Sequence, residues 1–140
     1  MAVEVNVRQT LNRTETRGLA SVLRRAGGTA LRHEGVRGRT VSALLTDDEE
    51  MQELNQRWRN LGRTTDVLSF EGGGEVLGDV VISLPAARRQ AKRFHVTLEM
   101  EVSRLMIHGV LHLLGHDHRT AAERRAMNAL TESIMKSVAR

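Results

Sequence analysis

Val3, Val5 and Val7 alternate with polar neighbours, the period-two signature of a strand buried on one face. A first helix is predicted from about Glu15, broken near Gly27 and Gly28. RTVSALLT (39–46) reads as a second strand. Thr46 then offers an N-cap, and Asp47, Asp48 and Glu49 fall in a first turn where acids suit the helix dipole, so a helix is predicted to about Arg59. TTDVLSF (64–70) and VLGDVVISL (76–84) are strand-like and, separated by the EGGGE turn, predict a hairpin or close neighbours. Pro85 suits the first turn of a helix through AARRQAKRF. A further helix is predicted from about Thr97 through Leu114, and a last one from about Thr120, whose T-A-A-E forms a capping box with Glu123. Strands interspersed with helices, then helices only, predict an α+β fold: a small mixed sheet of about four strands packed with about five helices.

Length makes this one domain, residues 1–140, with a single core. The hydrophobic fraction of 40% and charged fraction of 27% are those of a globular protein, and no repeat is visible. With no cysteine, disulfides, thiolate metal sites and thiol nucleophiles are excluded, so any metal is held by histidine and carboxylate. MAVEVNVRQT lacks an apolar signal-peptide core, and LMIHGVLHLLGH is too short to span a bilayer; a cytoplasmic location without membrane contact is expected.

Basic charge is almost all arginine, 19 Arg against 2 Lys, with a formal net charge of +4. Guanidinium forks match phosphate oxygens, which favours a polyanionic partner. The arginines are scattered in pairs, though, and Asp47-Asp48-Glu49-Glu50 is acidic, so charge alone leaves a solvated basic surface as an equal reading.

HGVLHLLGHDH (108–118) holds four of the six histidines. On a helix, His108 and His112 share a face about 6 Å apart along the axis and can point at one ion. His116, the next rung, would lie about 12 Å from His108, too far for one ion whose imidazole bonds are about 2.0–2.1 Å. Gly115 tolerates the left-handed conformation that ends helices, so the chain can reverse and bring back His118, with His116 passing outside the turn. Three neutral imidazoles leave a fourth zinc position open, the catalytic rather than structural arrangement. The spacing matches H-E-x-x-H-x-x-G-x-x-H of the zincins at each ligand and the glycine, but Gly109 stands where the general-base glutamate belongs. That departure argues against peptidase chemistry.

Together with LNQRWRNLGRTTDVLSF (54–70) and LGDVVIS (77–83), HGVLHLLGHDH resembles the YbeY family of bacterial endoribonucleases across about residues 40 to 130. The resemblance implies one Zn2+ held by His108, His112 and His118, a zincin-like fold, and cleavage of single-stranded RNA. It further implies action on ribosomal RNA precursor, at the 3′ end of the small-subunit RNA, and in ribosome quality control, with the small ribosomal subunit as partner. Arg59 matches the family's arginine, which points to a phosphate clamp. His116 stands where the family usually has tyrosine, and Thr64 where proline often precedes Thr-Asp.

Asp66 reads as a strand-end cap or hydrogen-bond anchor. Asp79 is a candidate functional acid because a carboxylate entering a strand is locally unfavourable; it would face a cleft or a protein partner. Asp117 would orient an imidazole or stabilise a turn. Glu99 and Glu101 read as surface acids, and the methionines and lone Trp58 as core packing. Two other functions compete with the endoribonuclease: a nonenzymatic, zinc-stapled module that docks on ribosomal RNA or the small subunit, and a degenerate peptidase.

Overall fold

The structure is a computed structural model that describes residues 2–59 and 66–139, the side chain of Arg59 excepted. Its strands are β1 (Val3–Val7), β2 (Thr40–Thr46), β3 (Val67–Glu71) and β4 (Val76–Ser83), and its helices α1 (Arg13–Thr16), α2 (Leu19–His33), α3 (Asp48–Arg59), α4 (Leu84–Phe94), α5 (Leu98–Leu113) and α6 (Ala121–Val138). The strands form one sheet in the order β1-β2-β4-β3. β1 and β4 run parallel to β2, and β3 pairs antiparallel with β4 as the expected hairpin. The result is the α+β class with a mixed four-stranded sheet, five long helices and one short turn of helix.

The two faces of the sheet are unequal. Val41, Ala43 and Leu45 of β2 and Val80 and Ile82 of β4 are fully buried in the main core with Leu23 and Ala26 of α2 and Val102, Leu105, Met106, Val110 and Leu111 of α5. Burying each Leu or Val side chain is worth about 1.5–3 kcal/mol, so this face holds most of the folding energy. On the other face, among the described residues, α3 packs through a small cluster of Met51, Leu68 and Val81 with Leu44, Leu54 and Phe70 at its margin.

Three expectations are corrected here. The helix predicted to break at Gly27 and Gly28 runs straight through them, from Leu19 to His33, and begins later than Glu15. A Cβ on Gly27 would sit 2.9 Å from Met106 Cε and from Val3 Cγ2, so the glycine lets α2 approach α5 and β1 closely and tertiary packing overrides its low helix propensity. The cap of α3 is Asp47, not Thr46: Asp47 Oδ1 accepts the Glu50 backbone N–H at 2.8 Å, while the Thr46 hydroxyl donates to Glu50 Oε1 at 2.6 Å. Trp58 is not core; it is 64% exposed. The capping box of α6 forms as expected between Thr120 and Glu123, and Ser83 caps α4 just ahead of Pro85.

Candidate metal centre

Helix α5 is set by its own caps and by one close contact with the sheet. The Thr97 hydroxyl accepts the Met100 N–H at 3.1 Å at its start. Midway, a Cβ on Gly109 would lie 2.5 Å from Val80 Cγ1, so at this position the helix backbone rests directly on β4. The Ser69 hydroxyl of β3 donates to the Gly109 carbonyl at 3.3 Å on the same side. The residue that replaces a peptidase's glutamate is therefore a packing requirement: position 109 faces the core and has no room for a carboxylate.

The helix ends as the glycine predicted. Gly115 has φ +98°, its N–H donates to the His112 carbonyl, and the His116 N–H reaches back to the Leu111 carbonyl, both at 3.1 Å. These two bonds are the Schellman pattern, which satisfies the last carbonyls and turns the chain back over the helix. The return brings His118 to His108 and His112. Ring centroids are 5.6 Å apart for His108 and His118, 5.4 Å for His112 and His118, and 6.4 Å for His108 and His112.

Two imidazoles bound tetrahedrally to one ion at about 2.1 Å hold their centroids about 5 Å apart. Two of the three pairs are close to that spacing and the third is wider. Among the described residues no group of three or more His, Cys, Asp or Glu side chains is drawn fully to ligating distance, so the cluster is slightly looser than a closed coordination sphere. Its chemistry fits a divalent ion nonetheless. Burial, with the neighbouring charges of His118, Arg104 and His112, pushes the His108 pKa down to about 4, against a smaller opposing pull from Asp66. A neutral ring is the ligating form. His112 Nδ1 lies 3.1 Å from the His116 carbonyl, which only accepts, so Nδ1 carries the donated proton and Nε2 is the nitrogen left to face an ion.

His116 stands outside this group, with its Nε2 2.7 Å from Glu34 Oε1 at the end of α2. Asp117 spends its carboxylate on the turn: Oδ1 accepts the His118 backbone N–H at 2.7 Å and Oδ2 meets Arg119 Nε at 3.0 Å, whereas His118 Nδ1 is 3.8 Å away. Asp79 is exposed and follows β4 with its side chain on the face opposite Val80, so it is not gathered with the histidines. The side chain of Arg59 and all of residues 60–65, including Thr64, lie outside the described residues.

Two acids behave differently from expectation or escape it. Glu101, expected at the surface, is 2% exposed and accepts from Arg104 Nε at 2.9 Å and Nη2 at 2.5 Å. Arg104 Nη2 also donates to Gln90 Oε1 at 3.2 Å, and Gln90 Nε2 to Asp66 Oδ2 at 2.6 Å. Asp66 is thus the hydrogen-bond anchor foreseen for it, at the end of a chain that runs from α5 through α4. Glu34 had no local signal at all, because it meets His116 across 82 positions.

The sequence model described as Endoribonuclease YbeY matches residues 4–139. The Endoribonuclease YbeY of Moorella thermoacetica is 42% identical over 135 residues, covering 86% of this chain and 86% of that protein. Those of Solibacter usitatus and Myxococcus xanthus are 50% and 45% identical over 96 and 106 residues, 69% and 70% of this chain. The matches span 65% of the Solibacter protein's length and 36% of the Myxococcus protein's. The solution structure of TM1509 from Thermotoga maritima superposes with a TM-score of 0.64 at 25% identity, covering 97% of this chain and 88% of that one.

Proposed function

This chain belongs to the YbeY family, and we propose that it is a metal-dependent endoribonuclease that cuts single-stranded RNA. The observation that supports the metal-dependent reading most directly is the convergence of His108, His112 and His118, two from one rigid helix and one returned by the Gly115 turn. A zinc ion bound there supplies Lewis acidity toward water and toward a phosphoryl oxygen. The protein's part is to keep His108 neutral and the three ligands aimed. His108 resists protonation, and the His112 ring is locked in one tautomer by the carbonyl of the very turn that carries His118. Arg59 is assigned the clamp on two nonbridging phosphate oxygens, where a planar guanidinium offsets charge that grows during attack.

The substrate we assign is ribosomal RNA precursor, at the 3′ end of the small-subunit RNA, with the small ribosomal subunit as the partner that presents it. The arginine-rich composition and net charge of +4 favour such a polyanion. No helix among the described residues is long and apolar enough to cross a membrane.

The decisive measurement pairs a single-stranded RNA substrate with casein, and determines metal content on the same preparation. His112→Ala is expected to lose both bound zinc and RNA cleavage, with casein untouched by either protein. Full RNA cleavage by rigorously metal-free wild type would overturn the metal part of the reading; zinc retained at stoichiometry with no RNA cleavage in wild type would favour a structural staple. Peptidase activity is disfavoured by the contact of Gly109 with Val80, which leaves no space for a base.

A further inference from the structure

The sheet face not covered by α2 and α5 carries a groove of about 850 Å³ that the histidine cluster does not use. Its walls are unusual for an open surface. Leu44 and Val81 form an apolar floor beside Phe70 and Trp58. Trp58 meets Phe70 edge to face, with centroids 6.4 Å apart and planes at 71°, and remains 64% exposed. An indole left this exposed forgoes most of its burial energy. A braced aromatic ring at the lip of an apolar groove is a surface on which a second flat ring stacks.

The polar chemistry beside that surface is selective. Asp79 is paired with Phe70 in the β3–β4 register and with Ser42 in the β2–β4 register, so these side chains leave the same face of the sheet. Among the described residues the Asp79 carboxylate takes part in no hydrogen bond or ion pair. Of the described residues that line the groove the one cation, Arg8, is held by Glu50 at 2.8 Å. Glu71 lines the groove as well, but it alternates with Phe70 along β3, so Asp79 is the carboxylate on the aromatic face; with no free cation among the described residues, this lining repels a phosphate and accepts N–H donors. Of the four RNA bases, only guanine offers two adjacent donors, N1–H and the N2 amino group, that match the two oxygens of one carboxylate while its ring stacks.

We propose that this groove is a pocket for an unpaired guanine base, stacked on Trp58 and held by Asp79, with its phosphates outside. As an element of substrate recognition the pocket rests on the RNA reading above, but binding itself requires neither metal nor cleavage. The chain has one tryptophan and no tyrosine, so its emission reports on this site alone. Emission is titrated with GMP, IMP, AMP, CMP and UMP in the presence of a chelator. GMP is expected to quench saturably and to bind at least about tenfold more tightly than UMP or CMP, the low end of what a bidentate base contact discriminates. IMP, which lacks the 2-amino group, falls between. Asp79→Asn is expected to bring GMP down to the level of UMP while leaving the weak UMP signal and the melting temperature in place.

Equal quenching by all nucleotides, or none by any, overturns the pocket. So does quenching by an arginine-rich peptide that GMP cannot displace, which would make the groove a protein-docking surface. Should Asp79→Asn fail to fold, the ranking of GMP over IMP over UMP on the wild type still decides. A chain that binds GMP but cuts no RNA keeps the pocket and loses the nuclease; the converse result separates them equally well.

Discussion

At the scale of single residues, the most informative position is one with no side chain. Gly109 departs from the zincin pattern, and the structure supplies the reason: its Cα faces Val80, whose Cγ1 is 2.5 Å from where a Cβ would stand. Contacts that short do not occur, so any side chain must push α5 off β4. Gly109→Ala gains up to about 1 kcal/mol of helix propensity but overpacks the core at about 1–3 kcal/mol, for a net loss of stability. Val80→Ala in the same chain makes room, and the double variant should recover part of the loss. Chemical denaturation of the four proteins checks this, and strictly additive losses would show that the two residues do not meet. Glycine here was legible as a missing base; that it is also a packing residue was not, since Val80 is 29 positions away in sequence.

At the scale of elements, what the sequence revealed was what neighbours in the chain decide. The Thr120–Glu123 box, the Ser83 and Pro85 start of α4, and the Gly115 stop of α5 are all satisfied within a few residues. What it hid was decided across the fold. Gly27 and Gly28 signal a break in isolation, yet α2 continues through them, with Met106 and Val3 packed against Gly27 where a side chain would stand. Glu101 looks like a surface acid until Arg104 and Gln90 close over it. Trp58 has the composition of core but sits at the edge of a face on which the described residues form only the small α3 cluster. The candidate site divides the same way: the returning third histidine follows from one local glycine, whereas the Glu34 anchor on His116 does not. The Gly115 turn carries a direct test. Its φ of +98° is a conformation an L residue adopts at a cost of about 1–2 kcal/mol. No atom beyond its chain neighbours lies within 4 Å of an added Cβ, so Gly115→Ala perturbs the backbone without a clash. The variant should fold with a slightly lower melting temperature but bind zinc more weakly, because the strain is relieved by moving His118. Unchanged zinc affinity would show that the turn does not position the third ligand.

At the scale of the whole molecule, the histidine cluster is built into the main core rather than added to its surface. Val110 and Leu111, next to His112 in sequence, are fully buried, and His108 itself is partly buried. Holding His108 neutral therefore ties the stability of the domain to pH. Its folded pKa is about 4 against an ordinary 6.5, with burial as the main cause. Above pH 6.5 neither folded nor unfolded chain protonates the ring and the stability is complete. Between 6.5 and 4 the unfolded chain takes up a proton that the folded chain refuses, so stability falls with pH until the folded ring also protonates. The Glu50 pKa is shifted in the same direction but in a lower window: hydrogen bonds from Arg8 and Thr46 hold its carboxyl below the usual 4.5, outweighing burial, so its contribution is intact above 4.5 and is lost only in stronger acid. The interval from pH 7 to pH 5 thus separates the imidazole's contribution from that of this carboxylate. In a chelator the denaturation midpoint of the wild type should drop between those two values by more than that of His108→Gln, which has no ring to protonate. Saturating zinc, which binds the neutral rings, should raise the wild-type midpoint more at pH 7 than at pH 5, since protons compete for the same nitrogens. Equal pH dependence in the two proteins would mean that His108 is free to protonate in the fold, and with it that the cluster is not held ready for a metal.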